Sequence, residues 1–137
     1  MEALIEYVVD NIFKGKTPKG AIVDINAADV DDIAKESFRP MELMLLSLGS
    51  CMGFTVEMIL KKMRISIKKY NIQIKGNRAE QPPKVFTDIY LTHSFYGSGL
   101  PSEKLKRALS LGESYCSAYN MLSRTVKIQN SIEILED

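Results

Sequence analysis

Two cysteines and one histidine are the residues of this chain best suited to covalent or metal chemistry. Cys51 lies in LGSCMGF, inside the run LMLLSLGSCMGFTVEMIL (residues 43–60), whose one charge is Glu57. Cys116 lies in ESYCSAYNML (residues 113–122). Small residues crowd around Cys51: Ser47, Gly49, Ser50 and Gly53. A glycine inside a helix costs about 1 kcal/mol relative to alanine, so these residues must bring something in return. A membrane helix, a close-packed core helix and a helix built to present a thiol would each explain them. A thiolate is a nucleophile that can cycle through sulfenic acid and disulfide. The other reading is a small buried hydrophobe, which free cysteine often is, and composition alone favours it. Metal binding has little support, because His93 is the one histidine and no C-x-x-C spacing occurs. His93 falls in a strand and reads as a strand-surface residue. Spacing neither supports nor forbids a Cys-His pair.

These side chains need elements to hold them. Residues 40–63 are expected to form the first long helix. Pro40 suits its first turn, Glu42 suits its positive end, and Lys61, Lys62 and Arg64 suit its C-terminus. It is apolar on every side, so it should be buried on every side. A second helix is expected from Pro101–Ser102 to about Leu122. Its stripe is Leu105, Ala108, Leu109, Gly112, Tyr115, Cys116, Tyr119 and Leu122, at steps of three and four. Packed helices lie about 8–10 Å apart, and facing cysteines can then come within the ~4.4–6.8 Å between Cα atoms that a disulfide needs. Whether the two cysteines are level is not written in their spacing.

Strands are expected at 4–9 and 21–25, joined as a hairpin through a turn at 14–20, then at 70–75, 85–95 and 125–135. Residues 26–38 read as a polar loop and 81–84 (QPPK) as a rigid connection. The order β-β-α-β-β-α-β indicates an α+β fold: a mostly antiparallel sheet with two long central helices on one face.

A chain of 137 residues suggests a single domain, 1–137. A net charge of +1 gives no reason to expect nucleic acid. The opening MEALIEYVVD lacks a basic segment before an apolar one, so no signal peptide is expected. Two cysteines then read as reduced thiols in a cytoplasmic protein. The run at 43–60 reaches the lower length limit of a membrane span, and Gly49 and Gly53 form a G-x-x-x-G. Glu57, the small polar residues and the missing aromatic belt favour close packing in a core over a membrane.

RPMELMLLSLGSC (residues 39–51) resembles the P-x-E-L-x-x-x-x-L-G-x-C segment of OsmC-like proteins, the family of osmotically inducible protein C and organic hydroperoxide resistance protein. ESYCSAYNML resembles that family's second-cysteine segment, and RAEQPPKVFTDIYL (78–91) its strand connection. The resemblance covers residues 38–135 and is greater to the general OsmC-like branch. It implies an intertwined α+β homodimer that reduces organic hydroperoxides with an external dithiol and no cofactor or metal. Cys51 would be the peroxidatic thiolate and Cys116 the resolving thiol. An apolar setting raises a thiol's pKa, so a cation is expected nearby. Well-characterised members place a Glu directly after the Pro and pair it with an N-terminal Arg. Here Met41 follows Pro40, the carboxylate is Glu42, and no Arg precedes Arg39. Arg39 and Glu42 are therefore the candidate activating residues. Two alternatives accompany this reading: a thiol protein acting on other reactive sulfur or electrophilic species, and a non-catalytic dimeric binding protein for an apolar ligand.

Overall fold

The computed structural model describes residues 1–26 and 37–136, so most of the loop expected at 26–38 lies outside the described residues. Two compact units are distinguished, Met1–Met44 and Leu45–Asp137.

In the first unit, β1 (Leu4–Val9), β2 (Ile12–Lys16) and β3 (Ile22–Asn26) form an antiparallel meander in that order. The expected two-strand hairpin is thus corrected. A third strand lies between the two, and the turn shrinks to Thr17–Ala21, where Gly20 N–H donates to the Thr17 carbonyl at 3.0 Å. Lys14, Gly15 and Lys16 read as turn residues, but they pair across the sheet. Lys14 Nζ meets Asp24 at 3.5 Å, and Lys16 meets Glu6. Gly15 lies so close to Val23 that a Cβ there would sit 3.0 Å from Val23 Cγ1. Phe38 then docks on β3, its N–H donating to the Asp24 carbonyl at 2.9 Å.

Helix α1 (Pro40–Lys62) follows. It stops where Arg64 adopts a left-handed φ of 57° and Ile65 N–H reaches back to the Leu60 carbonyl at 3.0 Å. Lys61 pairs with Glu57 at 2.6 Å one turn earlier. These basic residues therefore terminate a helix, as charge at its negative end favours.

In the second unit, β4 (Lys69–Arg78), β5 (Phe86–Tyr96) and β6 (Lys127–Leu135) make a sheet of order β4-β5-β6. β4 and β5 are antiparallel, while β5 and β6 are parallel. A parallel return needs a crossover, supplied here by α2 (Ser102–Tyr115) and α3 (Ser117–Leu122). Pairing is mostly antiparallel, as the sequence indicates. Strand alternation puts Ile89, Leu91, His93 and Phe95 of β5 on one face. The register aligns Tyr70, Ile72 and Ile74 with them on one side and Ile128, Asn130 and Ile132 on the other. Leu48, Met52 and Val56 of α1 and Leu105, Ala108 and Leu109 of α2 are buried as well.

One long second helix to Leu122 is not what forms. The chain leaves the helix at Cys116, with φ −71° and ψ 118°, and starts again as α3. The apolar stripe runs through the break, so periodicity could not reveal it. Gly112, Ser114, Ser117 and Asn120 weaken the helix locally.

Candidate thiol site

The glycines of α1 are explained by what they touch. A Cβ on Gly49 would overlap Ile74 of β4, and one on Gly53 would lie 3.1 Å from Ile72. A Cβ on Gly112 of α2 would lie 2.8 Å from Val56 of α1. α1 is thereby pressed onto β4, and α2 onto α1. This close seam brings a half-exposed Cys51 beside a fully buried Cys116.

The break in the second helix aims the site. Cys116 N–H donates to the Gly112 carbonyl at 2.8 Å and closes α2. Cys116 is also the N-cap of α3, its Sγ accepting from Tyr119 N–H at 3.4 Å. Carbonyls at a helix end lack intrahelical partners. Here Asn120 Nδ2 reaches two of them, Glu113 at 2.9 Å and Ser114 at 3.2 Å, and also the Cys116 carbonyl at 2.9 Å, which already accepts the Asn120 N–H at 3.0 Å.

Both cysteines are free thiols. Burial pushes the Cys51 thiol up, but the Ala118 N–H, the Cys116 thiol and the Ser117 N–H all donate to its sulfur, and the net pKa is lowered. Cys116 moves the opposite way. Burial, together with the hydrogen bond and charge of Cys51, outweighs the Tyr119 and Ala118 N–H groups and pushes it up to about 11. The two sulfurs, within hydrogen-bonding reach of each other, are thus shifted in opposite directions. The groups that lower the Cys51 pKa are thus the Cys116 thiol and the backbone N–H groups that open α3.

The other candidates fall as follows. Glu42 accepts a hydrogen bond from Arg39 N–H at 3.0 Å. That is the reach-back half of a capping box, with Arg39 as N-cap and Glu42 three residues on. Arg39 and Glu42 belong to the first unit, and Cys51 and Cys116 to the second. His93 is corrected outright. It is 0% exposed, not on the strand surface. It shares the alternation of Ile89, Leu91 and Phe95, and that signal was readable in the sequence. Ser117, Ala118 and Asn120 were missed as site residues, because only the break gives their backbone and amide groups a task. Among the described residues no cluster of three or more His, Cys, Asp or Glu could hold a metal.

Comparison with known proteins identifies the family and the fold. Residues 33–131 match the family of OsmC-like proteins. Protein YhfA of Escherichia coli strain K12 is 30% identical over 138 residues, covering 98% of both chains. A hypothetical protein from Aquifex aeolicus has the same fold at TM-score 0.85 and 31% identity, covering 99% of this chain and 96% of that one. The organic hydroperoxide resistance protein OhrB of Bacillus subtilis, at 16% identity and TM-score 0.69 over 97% and 98% of the two chains, shares the fold.

Proposed function

This chain belongs to the OsmC-like protein family, and we propose that it works there as a thiol-dependent peroxidase for organic hydroperoxides, residues 1–137 acting as one domain. The observation that carries the reading is the meeting of two free cysteines, Cys51 and Cys116, at one close seam, with Cys116 placed at the break between α2 and α3. The Cys51 thiolate attacks the O–O bond of the hydroperoxide. It becomes a sulfenic acid, and the alkoxide leaves and takes a proton from water as the alcohol. Cys116 then attacks the Cys51 sulfur. The sulfenic hydroxyl leaves as water with the Cys116 proton, and a disulfide forms. Oxidation of Cys51 removes its charge, one of the smaller contributions that raise Cys116 beside burial. An external dithiol becomes oxidised as it reduces the bridge. A cytoplasmic setting suits two thiols that must return to the reduced state.

The proposal also includes a homodimer. α1 is long and apolar enough to cross a membrane, yet only 33% of its most apolar window is buried. Phe54, Met58 and Leu46 are exposed, and an open groove of about 710 Å³ runs between α1 and β4, lined by Leu46, Gly53, Phe54, Ile72 and Ile74. A second copy covering this surface would complete the burial that the sequence of α1 requires. An obligate interface of about 2,000 Å² or more is expected. A dimer by light scattering at micromolar concentration supports it. A monomer would leave the groove open and count strongly against the dimer.

Arg39 and Glu42 remain candidates for activation. Arg39→Ala should slow Cys51 oxidation at neutral pH if the guanidinium contributes, and an unchanged rate leaves activation to the α3 N–H groups. The deciding test is peptide mapping after stoichiometric cumene hydroperoxide. An intramolecular Cys51–Cys116 bond is expected. A free Cys51 thiol under excess peroxide would sink the peroxidase reading.

A further inference from the structure

The thiol chemistry leaves one buried titratable side chain without a task. His93 is enclosed in the sheet between Tyr70 and Asn130, and both of its ring nitrogens are engaged. Nδ1 lies 2.5 Å from the Tyr70 hydroxyl, and Nε2 lies 2.9 Å from Asn130 Oδ1. Asn130 Nδ2 donates to Glu113 Oε1 at 2.8 Å. The four side chains come from β4, β5, β6 and α2 and form one chain of hydrogen bonds.

Its direction follows from the carboxylate end. Ionised Glu113 only accepts, so the amide of Asn130 must turn its NH2 towards it. Asn130 Oδ1 then faces His93, which must donate from Nε2–H. Nδ1 is left as the acceptor of the Tyr70 hydroxyl. A neutral imidazole in a single tautomer satisfies every group, and a buried network of this kind specifies one geometry.

The end of the chain matters most. Glu113 sits in the last turn of α2, one helical step before Cys116. A carboxylate near a helix C-terminus opposes the helix dipole, so helix formation alone does not favour it there. It is held from both sides: Asn130 takes its side chain and Asn120 its carbonyl. The break that aims Cys116 is tied to the sheet through this residue.

We propose that the buried chain Tyr70–His93–Asn130–Glu113 is the positioning network of Cys116, fixing the end of α2 so that the Cys51–Cys116 bond can close. The proposal rests on the dithiol reading above, so its test avoids peroxide. The full-length protein is equilibrated in a glutathione redox buffer, and the fraction of Cys51–Cys116 disulfide gives the effective concentration of the two thiols. Glu113→Ala should lower that concentration about tenfold, the equilibrium equivalent of one lost hydrogen bond to a charged group. Glu113→Gln keeps an oxygen for Asn130 Nδ2 and should stay near wild type. Asn130→Asp sets two carboxylates face to face and should be worse than Glu113→Ala. Adding Glu113→Gln to Asn130→Asp exchanges amide and carboxylate and should recover closure, a rescue that a merely structural role would not give. Near-UV circular dichroism and Tm establish that each variant is folded. A folded Glu113→Ala that closes like wild type overturns the proposal, and so does Glu113→Gln failing as badly as Glu113→Ala. A wild-type protein that forms no internal disulfide in this buffer overturns the dithiol reading itself, and this proposal with it.

Discussion

Cys51 and Cys116 face each other but sit in opposite kinds of backbone. Cys51 lies mid-way along an unbroken helix, where its own N–H and C=O are committed to the helix and it is half exposed. Cys116 lies where a helix stops, is fully buried, and caps the next helix with its sulfur. A continuous helix gives a thiol a fixed place but no spare donors. A broken one releases N–H groups, and those of Ser117 and Ala118 are turned on the partner sulfur. The break therefore lowers the pKa of the cysteine that is not in it. A helix N-terminus lowers a thiol's pKa in this way without a side-chain cation.

The sharpest way to break this contrast is to remove each sulfur in turn. Cys51→Ser should consume no hydroperoxide, even in a single turnover. Cys116→Ser should still consume one equivalent and then stall as Cys51 sulfenic acid, passing to sulfinic acid with more oxidant. Mass spectrometry of the Cys51 peptide separates these products, and equal burst amplitudes in the two variants would undo the assignment of roles.

Next in size is the loss of one activating donor. Ser117→Pro deletes an N–H at the first position of α3, where proline is well tolerated. Cys116 at φ −71° and ψ 118° already has the extended conformation that a following proline requires. The Cys51 pKa should rise, and its oxidation at neutral pH should slow roughly tenfold, the rate equivalent of one charge-assisted hydrogen bond of about 1.5 kcal/mol. Rates measured against pH should recover in alkaline buffer. In the same experiment on wild type, alkylation should reach Cys51 well before Cys116, whose thiol is pushed up to about 11. Equal reactivity of the two thiols would contradict the contrast.

A smaller effect concerns His93. Burial lowers its pKa below the ordinary 6.5, against the Asn130 hydrogen bond that raises it. Tyr70, Asn130 and, beyond it, Glu113 are the polar groups facing the ring. In the unfolded chain His93 takes up a proton near pH 6.5, while the folded protein refuses it. The unfolded state then binds more protons, so stability falls as pH drops below about 6.5 and levels off beneath the lowered folded value. Tm followed from pH 8 to pH 5 should show this loss, and a folded His93→Gln should show less of it.

The smallest effect tests the seam that sets the two cysteines side by side. Gly112→Ala drives a methyl against the stiff, branched Val56. Overpacking costs about 1–3 kcal/mol and better helix propensity returns about 1. A net loss of about 1 kcal/mol by urea denaturation is expected. A gain in stability would mean that the helices have room to spare.

Much of the architecture was legible from local pattern. Pro40, Glu42 and the closing lysines marked the ends of α1. Alternation marked β4, β5 and β6 to within a few residues. Gly15 concealed β2, because a glycine among lysines reads as a turn when the closeness of Val23 is not known. The two cysteine motifs pointed to the thiols, and their family resemblance implies an order of action that the two cysteine variants test. His93 was misjudged although its alternation with Leu91 and Phe95 was visible, because a polar side chain reads as exposed until its partners on neighbouring strands are known.

The sequence by itself determined which elements form and which sulfurs are available. Periodicity, capping residues and composition act over a few residues and can be read in order along the chain. Only the tertiary structure decided that the second helix breaks at Cys116, that α3 turns its N–H groups on Cys51, and that Tyr70, His93, Asn130 and Glu113 join into one chain. Each of these depends on groups from separate elements meeting at hydrogen-bonding distance, and a thiol's pKa is set by those neighbours rather than by its place in the sequence.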